Sequence, residues 1–198
     1  MRAHTSLSSI ATILLVVVLA ALPAAAFTVR VENNYTNEGT MYSSPTVANW
    51  IVYFGCWDHN IYALNAGTGM KVWNYTTKGA VASSPTVANG IVYFGSDDHN
   101  VYALNATTGT KVWSYVTGNF VTSPTVANGI VYFGCWDHNI YALNARTGMK
   151  VWNYTSKGAV ASSPTFANGI VYFGSYDGNI YALNARTGGK LWNYMTGA

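Results

Sequence analysis

One eleven-residue pattern, AxNxxTGxxxW, occurs four times in this chain and constrains its fold more than any other feature. The copies end on tryptophans spaced by 40, 39 and 40 residues, namely Trp73, Trp113, Trp152 and Trp192. Around each copy lie short runs of β-branched and aromatic residues bounded by turn residues, which is typical of strands. A period near 40 residues built from such strands is the signature of a β-propeller blade. The sequence therefore predicts an all-β propeller of four four-stranded antiparallel blades, and its regularity argues against a single asymmetric active site.

Each repeat divides into four predicted strands in a fixed order. Strand A is the SSPTVA run, strand B is IVYFG, strand C is IYALNA and strand D is KVWNY. The Asn-Gly pair before strand B predicts a type I′ hairpin, because both central residues of that turn need a positive φ. In the first repeat Trp50 replaces the glycine, so we expect that turn to be strained or of another type. The predicted blades are residues 41–80, 81–120, 121–159 and 160–198.

These repeats resemble those of the pyrroloquinoline quinone (PQQ)-like β-propellers of the quinoprotein alcohol dehydrogenase-like superfamily. Members of that superfamily carry a tryptophan-docking motif of the AxDxxTGxxxW kind, and here asparagine replaces the usual aspartate in every copy. The resemblance covers about residues 41–198 and implies that the motif ties neighbouring blades together. Besides the four tryptophans, it assigns structural docking roles to the motif glycines Gly69, Gly109, Gly148 and Gly188.

The number of blades leaves the closure of the ring open. Propellers of the resembled superfamily more usually close with seven or eight blades. Four blades could close tightly, remain an open arc with two exposed apolar ends, or form half of an eight-blade ring made by a homodimer. The chain could also be a fragment of a longer propeller.

The N-terminal residues 1–26 predict a secretory signal peptide. Arg2 and His4 precede an apolar stretch over residues 10–21, and an Ala-x-Ala site precedes Phe27. The apolar stretch is shorter than the roughly 20 residues that a spanning helix needs, so we expect no membrane span once the signal is removed. The mature protein is expected to be secreted or held at the cell surface or envelope. Residues 27–40 resemble a degenerate lone strand D, in which Asn33 takes the place of the docking tryptophan.

Charge and modification signals are sparse. Only 9% of the residues are charged, and the repeated lysines would be spread around a rim, so no nucleic-acid partner is expected. Four N-x-Ser/Thr sequons are candidates for glycosylation in a host that performs it, at Asn34, Asn74, Asn105 and Asn153.

The acidic residues favour a structural role over catalysis. One aspartate recurs in the B–C turn of every repeat, as Asp58, Asp98, Asp137 and Asp177, and we expect it to cap that turn through backbone N–H groups. The next residue is histidine in three repeats but Gly178 in the fourth, which indicates a left-handed backbone position. No metal site is predicted, since ligands from different blades would have to converge.

The two cysteines of the chain are not expected to form an intramolecular disulfide. Cys56 and Cys135 are equivalent positions two blades apart, too far for an intramolecular disulfide, so separate thiols or a bridge between chains are expected.

In the quinoprotein dehydrogenases that the repeats resemble, PQQ and its calcium are held by residues outside the repeat pattern beside a disulfide of adjacent cysteines. The chain has no Cys-Cys pair, so no cofactor is expected.

The departures from the repeat suggest where a function could lie. Trp57, Trp136 and Tyr176 occupy one position in the B–C turns and could form an aromatic binding face with Asp97, the one unpaired acidic residue of the repeats. The alternative is that they pack on neighbouring turns. The leading hypothesis is an exported non-catalytic scaffold or binding module for protein or glycan partners. A PQQ-dependent quinoprotein oxidoreductase and a cell-envelope assembly factor are the alternatives.

Overall fold

The computed structural model describes residues 40–196, which form sixteen strands and no helix. The strands build four four-stranded antiparallel sheets, and each sheet uses four consecutive strands in chain order. The all-β architecture of four antiparallel blades is therefore confirmed.

Each blade follows the predicted A–B–C–D order. Blade 1 contains β1 (Thr46–Ala48), β2 (Ile51–Gly55), β3 (Asn60–Asn65) and β4 (Lys71–Thr76). Blade 2 contains β5 (Thr86–Ala88), β6 (Ile91–Ser96), β7 (Asn100–Asn105) and β8 (Lys111–Val116). Blade 3 contains β9 (Thr125–Ala127), β10 (Ile130–Gly134), β11 (Asn139–Asn144) and β12 (Lys150–Thr155). Blade 4 contains β13 (Thr165–Ala167), β14 (Ile170–Ser175), β15 (Asn179–Asn184) and β16 (Lys190–Met195).

The Asn-Gly turns have the predicted left-handed geometry. Asn89 and Gly90 have φ values of 50° and 75°, and the turns before β10 and β14 repeat this pattern. The turn before β2 is not of another type, because Asn49 and Trp50 also have positive φ values, 50° and 61°. The strain expected at Trp50 is present, since a bulky residue there adopts a backbone conformation that favours glycine. The turn keeps its geometry because the Trp50 side chain projects outward and is 78% exposed.

The B–C turns also have the predicted backbone. His59, His99 and His138 lie at φ values of 71°, 67° and 73°, and Gly178 at the equivalent position lies at 79°. The histidine position is therefore selected by a left-handed backbone, which histidine tolerates better than most side chains do.

The apolar core lies between blades, and the motif tryptophans join them. Trp73, Trp113 and Trp152 are each buried, and each indole Nε1–H donates to a carbonyl of the next blade, for example Trp113 to Ala145 at 2.9 Å. The indole lies directly on a motif glycine of that blade: a Cβ on Gly148 would stand 2.7 Å from Cδ2 of Trp113. The glycine is required because nothing larger leaves room for the ring.

The four blades of residues 40–196 do not close into a ring with one another. The innermost strands are neighbours in the order β1, β5, β9 and β13. Trp192 of blade 4 is 45% exposed, whereas Trp152 is 9% exposed. At the other end Ala66 is exposed, whereas its counterparts Ala106 and Ala185 are buried. The four blades thus form an open arc and not the tight four-blade ring that the sequence left open.

The two cysteines are not joined by a disulfide. Cys56 and Cys135 are both buried at the ends of their B strands, and burial raises the pKa of each thiol. Burial also argues against the bridge between chains that the sequence left open.

Several sequence predictions concern residues outside the described range. They are the signal peptide at residues 1–26, the lone strand up to residue 39, and the sequon at Asn34. Within residues 40–196 there is no helix that is long and apolar enough to cross a membrane.

Candidate binding face on the B–C turns

One position of the B–C turn varies in residue type between the blades, although the backbone of the turn stays the same. It is occupied by Trp57, Asp97, Trp136 and Tyr176 in blades 1 to 4. In every blade its backbone N–H donates to a carbonyl in the chain that leads into the blade, at distances of 2.8 to 3.3 Å. The side chain takes no part in these bonds, so the residue can vary without loss of the turn.

The neighbouring aspartate fixes this turn, as predicted. In blade 3 the Asn139 backbone N–H donates to Oδ1 of Asp137 at 3.0 Å, and the hydroxyl of Tyr141 donates to Oδ2 at 2.7 Å. The backbone N–H of Gly118, in the D–A loop that connects blades 2 and 3, donates to the same Oδ2 at 3.1 Å. Burial alone would raise the pKa of Asp137, but these hydrogen bonds outweigh it and hold the pKa below its ordinary value. The aspartate therefore links two blades as well as capping its own turn.

Four rings form a continuous row across blades 2 to 4, which we call the aromatic row: His99, Phe120, Trp136 and Tyr176. The ring centroids of His99 and Phe120 are 5.5 Å apart, those of Phe120 and Trp136 are 5.9 Å apart, and those of Trp136 and Tyr176 are 5.8 Å apart. All three contacts are edge-to-face, the arrangement that aromatic pairs favour. Phe120, Trp136 and Tyr176 remain exposed, so the row presents an apolar surface to solvent.

Trp57 lies apart from this row. Its ring contacts Tyr42 with centroids 4.7 Å apart, and both side chains are exposed. Of the three aromatic residues predicted to form a face, the structure therefore brings Trp136 and Tyr176 together, and Trp57 packs on a neighbouring segment.

An open pocket of about 310 Å³ lies beside the aromatic row and joins Asp97 to Trp136; we call it the Asp97–Trp136 pocket. Phe120 forms part of its wall, and small residues of the segments that lead into the A strands complete it: Ala82, Ser83, Val121, Thr122, Ser123, Ala161 and Ser163. The pocket therefore combines two exposed aromatic rings with one carboxylate.

Asp97 differs electrostatically from the repeated aspartates. Partial burial and the neighbouring negative charge of Asp98 raise the pKa of Asp97 above its ordinary value, and nearby His99 and His59 offset only part of this effect. Its side chain accepts no hydrogen bond from another residue of the described chain. Asp97 therefore faces the pocket as a carboxylate that a cationic group could stabilise.

Phe120 belongs to this site, although it was not among the site residues predicted from the sequence. Its equivalents are Ala80 and Ala159, whose carbonyls accept the same backbone bond. Thr122 Oγ1 accepts the backbone N–H of Gly134, as the Ser83 hydroxyl accepts that of Gly95, so Thr122 is equivalent to Ser83. Repeat three therefore lacks one residue between Phe120 and Thr122. That deletion accounts for the spacing of 39 residues. An alignment of the D–A loops would have revealed both departures.

The carboxylates of residues 40–196 make a poor fit to the calcium ion that accompanies PQQ. In each of the four B–C turns, both carboxylate oxygens of the repeated aspartate already accept hydrogen bonds. Within residues 40–196, no three His, Cys, Asp or Glu side chains cluster closely enough to hold a metal ion. Among residues 40–196, Asp97 is the one carboxylate whose oxygens accept no hydrogen bond.

The predicted sequons lie in two settings. Asn74 and Asn153 are exposed on the outermost strands β4 and β12. Asn105 is partly buried, and its Oδ1 accepts the backbone N–H groups of Thr107 and Thr108 in the motif turn. Asn74 and Asn153 are therefore the more accessible of the described sites.

The fold and the docked motif define a PQQ-like β-propeller repeat protein. Residues 36–135 and 119–198 match the family model described as outer membrane protein assembly factor BamB, and the chain belongs to this family. No curated protein matches the sequence.

Solved structures share the fold at low identity. BamB from Moraxella catarrhalis is 20% identical with a TM-score of 0.66, over 81% of this chain and 63% of that one. The computationally designed protein Ika8 is 22% identical with a TM-score of 0.70, over 76% of this chain and 48% of that one. The quinohemoprotein alcohol dehydrogenase ADHIIG from Pseudomonas putida HK5 is 20% identical with a TM-score of 0.70, over 80% of this chain and 34% of that one. This chain thus spans less than two thirds of each, and the likeness concerns the fold alone.

Proposed function

We propose that the protein is a non-catalytic binding module of the cell envelope that holds a segment of a protein partner at the Asp97–Trp136 pocket. The observation that carries this proposal is the convergence of Asp97, Phe120 and Trp136 around one open pocket, on a scaffold that is otherwise repeated. Exposed aromatic residues are enriched in protein interfaces, where they supply most of the binding energy.

The chemistry of the pocket favours a basic peptide side chain over a sugar. Three of the four hydroxyl groups that line the pocket, those of Ser83, Thr122 and Ser123, are already hydrogen-bonded to backbone groups of the blades. A glycan would need several polar groups to bond with, whereas a lysine or arginine needs one carboxylate and an aromatic face. Asp97 supplies the carboxylate and Trp136 supplies the face, so the partner segment carries a cationic residue next to apolar ones.

The envelope location rests on the family. The matching family model is described as an outer membrane assembly factor, and the apolar N-terminal stretch of the sequence is typical of an exported protein. A role in envelope assembly is the form of binding function that best agrees with both observations. The M. catarrhalis BamB supports only the fold of this proposal, since it shares 20% identity with the chain.

The proposal is tested by screening the purified protein on an array of basic and aromatic peptides, with a glycan array in parallel. We expect peptide binding that falls at least about tenfold in Trp136→Ala and in Asp97→Asn, because each removes one half of the recognition. Trp57→Ala is the matched control: it changes a tryptophan at the same repeat position outside the pocket and should bind as the native chain does. Selective glycan binding, or equal losses in all three variants, would overturn the proposal.

The absence of catalysis is part of the same proposal. Adding PQQ with calcium should leave the midpoint of thermal unfolding unchanged, because the donor groups for the ion are engaged in the turns. A rise of the midpoint that disappears in Asp97→Ala would instead support a quinone-dependent oxidoreductase.

A further inference from the structure

The turns that carry the AxNxxTGxxxW motif lie at the opposite ends of the strands from the Asp97–Trp136 pocket. In each sheet the strand order brings the A–B hairpin and the C–D motif turn to one end, and the B–C turn lies at the other. In blade 3, for example, the Ala145 backbone N–H in the motif turn donates to the Gly129 carbonyl in the A–B hairpin at 2.9 Å. We call the surface formed by these hairpins and motif turns the motif-turn face.

The charges of residues 40–196 are divided between the two faces. Every acidic residue in this range is an aspartate of a B–C turn. The cations of the motif-turn face are the arginines of two motif turns and the lysine that begins each outer strand, namely Arg146, Arg186, Lys71, Lys111, Lys150 and Lys190. The motif-turn face is therefore positively charged, with no carboxylate of the described chain to neutralise it.

Two equivalent open pockets lie on this face at the joints between blades. The Arg186 pocket, of about 500 Å³, lies between blades 3 and 4, and the Arg146 pocket, of about 450 Å³, lies between blades 2 and 3. The same repeat positions form the apolar walls of both, namely Ile130, Tyr132 and Val151 in the first and Ile91, Tyr93 and Val112 in the second. Both volumes are in the range of small-ligand sites.

The arginine of each pocket is not needed to form its turn. The Arg186 backbone N–H donates to Oδ1 of Asn184 at 3.0 Å, and the turn of Arg146 has the same bond at 3.0 Å. Blade 2 carries Thr107 at this position, and the Thr107 backbone N–H donates to Oδ1 of Asn105 at 2.9 Å. The turn thus forms equally with threonine, and both arginine side chains are exposed.

The Arg186 pocket has a second aromatic ring in its wall. Phe166 stacks on Tyr132 with ring centroids 6.1 Å apart and an interplanar angle of 14°. Val126 is the equivalent of Phe166 in blade 3. Apolar walls with one guanidinium group suit a ligand that joins a carboxylate to an apolar group, because arginine binds carboxylates through two parallel hydrogen bonds. The Arg186 pocket is the better suited of the two to an aromatic group.

We propose that the Arg186 and Arg146 pockets form a second binding site, which holds a peptide segment whose acidic residues stand next to aromatic ones. Each arginine pairs with a carboxylate, and the apolar wall beside it packs on the neighbouring side chain. Because the two pockets lie in adjacent joints, one segment can occupy both, and the linked contacts bind more tightly than either alone. The concave shape of the pockets favours side chains over a lipid surface, which would contact only the tips of the turns.

This site is independent of the proposed function. No residue lines both the Asp97–Trp136 pocket and either arginine pocket. Trp136→Ala should leave the binding of an acidic peptide unchanged, and Arg186→Thr should leave the binding of a basic peptide unchanged. Either proposal can therefore fail while the other holds.

The test measures the fluorescence anisotropy of a labelled peptide with two Glu-Phe pairs joined by a Gly-Ser spacer. Its affinity for the chain should fall about tenfold in Arg186→Thr, because a charge-assisted contact is lost. The loss should be smaller in Arg146→Thr, whose pocket has the smaller aromatic wall, and largest in the double variant. Threonine is the residue of blade 2 at this position, so each variant should keep the native midpoint of thermal unfolding.

The controls separate the site from general charge attraction. Peptides with Gln-Phe or Glu-Ala pairs should bind at least about tenfold more weakly, because each lacks one half of the ligand. Lys71→Thr removes an exposed cation of the same face outside both pockets and should weaken binding much less than Arg186→Thr does. Phosphatidylglycerol vesicles serve as the membrane probe and should not sediment the chain.

Four results would overturn the proposal. They are no binding of the Glu-Phe peptide by the native chain, unchanged affinity in the arginine variants, equal losses in Lys71→Thr and Arg186→Thr, or binding to vesicles without binding to the peptide. The last result would identify the motif-turn face as a membrane-contacting surface.

Discussion

The inner joints and the two ends of the arc have the same sequence but different surroundings. Trp152 and Trp192 both follow a Thr-Gly turn and precede Asn-Tyr, and both lie in a strand D that is paired in the same register. Trp152 is buried against blade 4, whereas Trp192 is 45% exposed because none of the described blades packs against it. The motif therefore specifies the strand and its turn locally, but its stabilising effect depends on the next blade.

That dependence is typical of repeat proteins, whose stability is close to a sum of repeat and interface contributions. Within residues 40–196 three apolar interfaces join the four blades.

The largest difference is expected between two tryptophans. Trp113→Ala removes a buried ring and its hydrogen bond to Ala145, so the free energy of unfolding should fall by about 3–5 kcal/mol. Trp192→Ala should cost about 1 kcal/mol or less, because much of the ring is already in water. Urea unfolding measures both values. Equal losses would show that the two ends are as well packed as the joints.

Two glycines with similar φ values distinguish a lack of room for a side chain from backbone strain. Gly148 and Gly129 have φ values of 72° and 75°, but only a Cβ on Gly148 would strike the Trp113 indole. Gly129→Ala should therefore cost about 1 kcal/mol from φ alone, and Gly148→Ala about 3 kcal/mol because overpacking adds to it. Thermal and urea unfolding of the two variants check this order, and a reversed order would contradict the docking geometry.

The two kinds of aspartate predict opposite responses to pH. The pKa of Asp137 is lowered in the folded state, so its contribution to stability is present above the unfolded pKa and is lost as the pH falls through the folded pKa. The pKa of Asp97 is raised, so its contribution is present at low pH and is lost as the pH rises through the folded pKa.

The corresponding variants can be followed by their unfolding midpoints between about pH 2 and about pH 6. Asp137→Asn should reduce the loss of stability at the acid end, and Asp97→Asn should raise the midpoint at the neutral end. The same pH profile for both variants would mean that the two carboxylates have similar surroundings.

The smallest effect is expected at Trp50. Trp50→Gly should stabilise the chain by about 1 kcal/mol, because glycine adopts φ near 61° without steric cost. The control is Gly90→Trp, which should destabilise blade 2 by a similar amount. A loss of stability in Trp50→Gly would indicate that the exposed indole makes a stabilising contact that outweighs the backbone strain.

Local backbone features could be predicted from the sequence. The left-handed positions at Asn89 and His99, and the turn cap by Asp98, follow from steric and hydrogen-bonding rules that involve only a few neighbouring residues. The repeat supports the left-handed position at His99, because Gly178 occupies the equivalent position in the fourth repeat.

Contacts between blades could not be predicted in the same way. Phe120 belongs to the pocket because a D–A loop brings it against Trp136, and that contact depends on the packing of two blades. Trp57 and Trp136 occupy the same repeat position, yet one contacts Tyr42 and the other contacts Phe120 and Tyr176. Ring closure depends on the angle between blades, which no single motif encodes.

The central claim is that Asp97 and Trp136 together make one binding pocket on a scaffold that is otherwise repeated. The most direct measurement is the affinity of the native chain, Trp136→Ala and Trp57→Ala for one basic, aromatic peptide by titration calorimetry. The affinity should fall at least about tenfold in Trp136→Ala and stay unchanged in Trp57→Ala. The same affinity in Trp136→Ala as in the native chain would contradict the claim.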